Sequence, residues 1–249
     1  MPHTPTMNAP PIDPAFELLP AQGPVELVFM FFHGVGGRAD GMLPFARRMQ
    51  AEYPQAAVVG INAPDAYDGG TGGFQWFSVQ GITEESRPAR VAAPMPTFIA
   101  TVRAAQQRFG VTWERTALFG FSQGAIMSLE AVQAEPELAG RVLAFSGRYA
   151  TAPMYAPVDT TLHFCHGMKD AVIAYVLQAD AAERLVALGA DVTADILPGI
   201  GHELHPQLID KAVEQLRTFI PKRVWRQALA EAPVLPRAAS SRELGEDCE

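Results

Sequence analysis

Gly120-Phe121-Ser122-Gln123-Gly124 lies where one apolar stretch, Thr116-Ala117-Leu118-Phe119, gives way to another, Ala125-Ile126-Met127-Ser128-Leu129-Glu130-Ala131-Val132. The first reads as a buried strand and the second as a helix. The five residues between them form a Gly-x-Ser-x-Gly turn. Such a turn forces its serine into a strained backbone conformation and exposes the hydroxyl above the end of the sheet. Glycines flank it because strand and helix approach too closely there for a side chain. The stretch therefore proposes a nucleophile, Ser122, and a strand-turn-helix unit of an α/β sheet.

A nucleophilic serine needs a base, and the base needs an orienting carboxylate. In this type of fold the chain order is Ser, then Asp or Glu, then His. Of the six histidines, only His202 and His205 lie well downstream with room for an acid between. His202 follows the strand-like Asp191-Val192-Thr193-Ala194-Asp195-Ile196-Leu197 in a Gly-rich loop, where an α/β sheet gathers its reactive groups. His205 stands beside Pro206 at a helix start and ranks second. The acid is read from Leu162-His163-Phe164-Cys165-His166-Gly167-Met168-Lys169-Asp170: an apolar strand, a turn, then Asp170. The plainer reading of Asp170 is a cap on a helix from Ala171.

Acyl transfer also needs donors for the developing oxyanion. One is the backbone N–H of Gln123, directly after the nucleophile. The second comes from the loop after the apolar strand Val25-Glu26-Leu27-Val28-Phe29-Met30-Phe31-Phe32, which ends in His33-Gly34-Val35-Gly36-Gly37. Val35 N–H is the candidate. His33 precedes the serine and is read as a brace for the loop, not as the base. The run lacks the Lys-Ser/Thr ending of a phosphate loop and the third glycine of a dinucleotide fingerprint.

Together His33-Gly34-x-Gly36, Trp76-Phe77-Ser78, Gly120-Phe121-Ser122-Gln123-Gly124-Ala125, His166-Gly167-x-x-Asp170 and Gly201-His202 resemble the phospholipase/carboxylesterase family. These are α/β-hydrolases related to acyl-protein thioesterases. The resemblance runs from about Val25 to about Pro221. Within the family the chain is most similar to bacterial esterases carrying Trp76-Phe77-Ser78-Val79-Gln80-Gly81-Ile82. It implies an α/β-hydrolase fold, with a mostly parallel central sheet, helices on both faces and no large lid domain. It implies Ser122, Asp170 and His202 as the triad and Val35 and Gln123 as oxyanion donors. The implied reaction is hydrolysis of carboxylic or thio esters of small to medium acyl chains, with acyl-protein thioesterase or lysophospholipase-like activity as the alternative. One position departs from the pattern: relatives often carry Asp directly after His-Gly-x-Gly, and here it is Gly37. Either Asp40 takes over its structural role or the loop is looser.

Composition agrees. A chain of 249 residues with 48% hydrophobic content can bury a sizeable core. A net charge of −8 and the lack of a basic stripe argue against nucleic acid as a partner. Two distant cysteines argue against a disulfide framework. No metal-ligand spacing is seen, so neither metal nor other cofactor is expected; His202-Glu203-Leu204-His205 is one residue short of the helical zinc motif. No secretory signal or membrane-spanning run is visible, so a cytoplasmic protein without a membrane span is expected. The expected partner is a small-molecule ester or thioester, and a homodimer stays open.

Strand-like and helical stretches alternate through the middle, which argues for a parallel sheet covered on both faces. Helices are expected at 40–53, 97–109, 175–188 and 208–219. The reading gives a mobile segment at 1–15, a single domain at 16–231 and a disordered acidic tail at 232–249. Residues 62–96 are irregular. There Trp76 and Phe77 are read either as a substrate pocket or as packing for the loop. Glu84 is read as part of a solvated helix start, and Arg148 as a contact for a polar leaving group or, more often, a carbonyl cap or the partner of a carboxylate. A non-catalytic binding module on the same fold is the reading from another class, although no triad member is missing.

Overall fold

The computed structural model describes residues 12–70 and 72–231. Most of the segment 1–15 and all of the tail 232–249 lie outside the described residues. Strand β1 (Phe16–Leu18) precedes β2 (Leu27–Phe32). A 3-10 turn (Ala39–Met42) leads into α1 (Leu43–Glu52) and then β3 (Ala56–Ile61). Two short strands, β4 (Asp65–Ala66) and β5 (Phe74–Gln75), are followed by α2 (Arg87–Ala92) and α3 (Met95–Phe109). Next come β6 (Thr116–Phe121), α4 (Gln123–Ala134), β7 (Arg141–Phe145), β8 (Thr161–Gly167), α5 (Val176–Ala187), β9 (Asp191–Leu197) and α6 (Pro206–Thr218). By its internal contacts the chain divides after Phe219. The unit from Ile220 onward contains helix α7 (Lys222–Glu231).

Seven strands form the main sheet in the order β1-β3-β2-β6-β7-β8-β9. Every neighbouring pair is parallel except β1 with β3, which is antiparallel. The order reverses around β2 and β6. In an open α/β sheet that reversal leaves a crevice outside the strands' carboxyl ends. His33 to Gly37 and Ser122 are the residues that follow these two strands.

The near-continuous apolar run of β2 is explained by burial on both faces. Val28, Met30 and Phe32 join a core with residues of α3 and α4, while Phe29 and Phe31 join a second core with residues of α1 and α6. Phe31 stacks on Phe119 with ring centroids 4.6 Å apart, and Phe45 of α1 meets Phe31 edge-on at 5.2 Å. Helices thus cover both faces, as the alternating pattern predicts. The expected stop of α3 is also present: Gly110 has φ 66° and ends the helix in the left-handed region. The expected helix at 40–53 differs at its start, because residues 39–42 wind as a 3-10 turn before α1.

Among the described residues, one of the tightest approaches to backbone is made by Gly124 in the first turn of α4. A Cβ there would lie 2.1 Å from the carbonyl oxygen of Phe32 and 2.8 Å from that of His33. Both are backbone atoms and cannot swing aside. Gly124→Ala is therefore expected to destabilise the protein by about 1–3 kcal/mol or more in denaturant unfolding. Gly41→Ala is the matched control: a Cβ there meets nothing within 4 Å. Its change should stay within about 0.5 kcal/mol.

Candidate active site

Ser122 ends β6 and begins α4 with φ 52° and ψ −113°. A side chain held there is strained, and such strain persists only where the surroundings impose it. They do so here. The Ser122 N–H donates to Phe145 C=O at 2.9 Å, and its C=O accepts the N–H groups of Ala125 and Ile126. The hydroxyl Oγ lies 2.9 Å from Nε2 of His202. On the far side of that ring, Nδ1 lies 2.7 Å from Oδ2 of Asp170. Nδ1–H donates to the carboxylate, which leaves Nε2 free to accept the serine proton.

The three residues come from three strand ends. Asp170 follows β8 and His202 follows β9. The two loops are laced together: Met168 N–H donates to Leu197 C=O at 2.9 Å, and Lys169 N–H donates to Ile200 C=O at 2.8 Å. Phe121 flanks the His202 ring at 5.0 Å between centroids. Asp170 makes contacts of both kinds, acid and cap, one per oxygen. Its Oδ1 accepts the N–H groups of Val172 and Ile173, each at 2.8 Å, while Oδ2 faces His202. The turn it closes is not helical; α5 starts only at Val176. Burial alone would push the Asp170 carboxyl up. The hydrogen bonds from His202, Ile173 and Val172 outweigh that and hold it below its ordinary value.

The opposite wall is built from the end of β2. His33 is buried and braces its loop, as the sequence predicts. Its Nδ1–H donates to Gly34 C=O at 2.7 Å, and its Nε2 accepts Ala63 N–H at 3.0 Å. Burial keeps its pKa below the ordinary value. The loop is pinned to β5 by backbone hydrogen bonds: Gly36 N–H donates to Phe74 C=O at 2.8 Å, and Phe74 N–H donates to Gly37 C=O at 2.9 Å. This bridge, not Asp40, does the anchoring, since Asp40 is exposed. Gly37 N–H turns back to Gly34 C=O at 3.0 Å. Among the described residues, neither Val35 N–H nor Gln123 N–H has a protein acceptor. Gly34 sits against the serine, 3.1 Å from its Cβ to a Cβ built on the glycine.

The side chain of Gln123 has a role that sequence reasoning missed. Its Oε1 accepts Trp76 N–H at 2.8 Å and its Nε2–H donates to Phe77 C=O at 2.6 Å. The residue after the serine thus clamps the aromatic segment to the top of α4. Trp76 completes the lattice by donating Nε1–H to His33 C=O at 2.9 Å. The available signal was the Gln itself, which a generic Gly-x-Ser-x-Gly turn does not require.

Trp76 and Phe77 are buried, and they also line a cavity of about 810 Å³ with Pro64, Asp65, Ser78 and Arg90. Ser122 is not among the residues that line it. His205 is not brought to the site. It caps α6, its Nδ1 accepting Gln207 N–H at 3.2 Å. Arg148 pairs with both carboxylate oxygens of Glu84, at 3.0 and 2.6 Å. Glu84 is exposed, as predicted, but it is also engaged by Arg87 at 3.0 Å. Among the described residues, no group of three or more His, Cys, Asp or Glu is placed to hold a metal ion. No helix among them is long and apolar enough to cross a membrane.

Comparison with known proteins adds an independent line. The model of the phospholipase/carboxylesterase family matches residues 14–220. The esterase YpfH of Escherichia coli (strain K12) is 45% identical over 207 residues, covering 83% of this chain and 89% of that protein. Acyl-protein thioesterase 1 homolog 1 of Dictyostelium discoideum is 24% identical over 204 residues, covering 78% of this chain and 90% of that protein. The crystal structure of esterase PE8 superposes with a TM-score of 0.76 at 25% identity, covering 82% of this chain and 97% of that one. With the family pattern matched across the whole sheet, the chain belongs to the phospholipase/carboxylesterase family.

Proposed function

We propose that this chain is a serine esterase that transfers the acyl group of small to medium carboxylic esters from Ser122 to water. The observation that carries the reading is the unbroken line from Ser122 Oγ through His202 to Asp170, at 2.9 and 2.7 Å. Esterase YpfH and esterase PE8 support the substrate class. In the proposed cycle, His202 Nε2 takes the hydroxyl proton as Oγ attacks the ester carbonyl. The N–H groups of Val35 and Gln123 hold the oxyanion, each contributing about 10²–10³ in rate. The imidazolium returns its proton to the leaving alcohol, and the acyl group stays on Oγ. Water then attacks the acyl-enzyme, giving its proton to His202; His202 passes that proton to Ser122 Oγ as the acyl–Oγ bond breaks, so the acid departs and the free serine is restored. Asp170, already ionised by its hydrogen bonds, fixes the tautomer of His202 and stabilises the imidazolium.

Relatives named acyl-protein thioesterases favour a second reading in which a thioester is the substrate. The chemistry is the same, with a thiol as leaving group. The proposed setting is the cytoplasm, where the buried free thiol of Cys165 would stay reduced.

A series of p-nitrophenyl esters from acetate to palmitate tests the proposal and maps the acyl length; an acylated thiol run beside it separates ester from thioester preference. Ser122→Ala is expected to abolish turnover on every member while leaving the unfolding midpoint close to native. Turnover that survives this substitution overturns the nucleophile. Asp170→Asn keeps the shape but presents the wrong donor to His202. By analogy with serine-protease triads, kcat should fall about 10⁴-fold. An unchanged kcat would overturn the assignment of the acid.

A further inference from the structure

Asp170 is bonded from a direction that the three-residue line does not explain. The same oxygen that receives His202, Oδ2, lies 3.1 Å from Nε2 of His166. His166 is the penultimate residue of β8, and its side chain and that of Asp170 are fully buried. The ring is fixed on both sides. Nε2 also lies 2.9 Å from Ile173 C=O, and Nδ1 lies 2.8 Å from Oε1 of Gln178. Gln178 is itself oriented, because its Nε2–H donates to Ala144 C=O at 3.1 Å. Every atom facing the ring nitrogens is therefore an acceptor. With the proton on Nε2 the ring donates toward Asp170 Oδ2 and Ile173 C=O, and the contacts with Gln178 and Ile173 leave it one orientation in which to do so.

We propose that His166 is a positioning residue for acyl transfer. By holding Oδ2 of Asp170, it sets the direction from which His202 is oriented toward Ser122. This rests on the triad reading above. Oδ1 is tied to the Val172 and Ile173 amides, so the carboxylate plane has one anchored edge. His166 anchors the other. Without it, the carboxyl group can rotate about its bond and the His202 ring follows. A displacement of about 1 Å at a reacting atom is enough to cost about 10²-fold in rate. His166 touches neither the substrate carbonyl nor Ser122, so its effect belongs in kcat and not in KM.

Two substitutions separate the two ring nitrogens. His166→Gln places an amide N–H near the position of Nε2 and can still reach Asp170. His166→Asn places one near Nδ1, keeps the contact with Gln178 and loses Asp170. With p-nitrophenyl butyrate, His166→Asn is expected to lower kcat by about 10- to 100-fold with KM unchanged. His166→Gln should recover most of that loss. In an Asp170→Asn background, His166→Asn should change the residual kcat by less than about twofold, since the group it acts through is already lost. Native kcat in folded His166→Asn, an equal loss in both variants, or full additivity with Asp170→Asn would each overturn the proposal. Should His166→Asn fail to fold, Gln178→Leu, which frees the ring, carries the same expectation at smaller size, and an unchanged kcat there overturns it. If Ser122→Ala and Asp170→Asn both keep native turnover, the triad reading has failed, not this extension of it.

Discussion

The first turn of α4 rests directly on the last peptide of β2, and the rest of the site follows from that contact. No atom larger than hydrogen fits on Gly124 between the helix and the carbonyls of Phe32 and His33. The chain must therefore climb out of β6 and turn into a helix within one residue, and that residue is Ser122, at φ 52°. The strain at one position is thus set by a distance between two elements. The same approach brings the loop after β2 against the serine, so Ser122 and the amides opposite it are located by a single packing constraint. The cost of the strained backbone, of order 1–3 kcal/mol, is borne by a double-sided aromatic core.

Around that point the site divides into two halves with different physics. On the β2 side, nearly every link is neutral. His33, Trp76 and the side chain of Gln123 exchange hydrogen bonds with backbone groups, and the Gly36–Gly37 loop is stitched to Phe74. Neutral bonds of this kind hold geometry without adding a field of their own. On the β8 and β9 side the linkage is ionic. A buried carboxylate would be costly unless its lone pairs were filled. Asp170 fills them with two amides and two imidazoles. One half offers unpaired N–H groups where negative charge would form, and the other stabilises the positive charge that would form on His202.

Much of this was legible in the sequence, because strand ends are marked by apolar runs that break at glycine. Ser122 and Asp170 each follow such a run, His202 follows the more polar strand-like stretch 191–197, and the structure brings the three together in a hydrogen-bonded line. His205 was separable from His202 because Pro206 marks a helix start. The long helices carried a 3.6-residue stripe and were found within a few residues. What stayed hidden had no period. β4 and β5 are two residues each and exist through pairing with each other and with Gly37. The hydrogen bond that Gln123 accepts from Trp76, and the contact between His166 and Gln178, join separate elements and leave no local trace. In sequence Asp170 reads as either an acid or a cap, because the pattern does not show that its two oxygens face different partners.

The bond from His202 to Ser122 spans 80 residues of chain, and that from His202 to Asp170 spans 32. Neither can form before the intervening strands have paired, since closing such loops is entropically unfavourable until the sheet compensates for it. No fragment of the chain carries the site in miniature. Hydrolytic competence is therefore an attribute of the finished sheet, acquired at the end of folding, and a collapsed intermediate with most of its helices already wound would still be chemically inert.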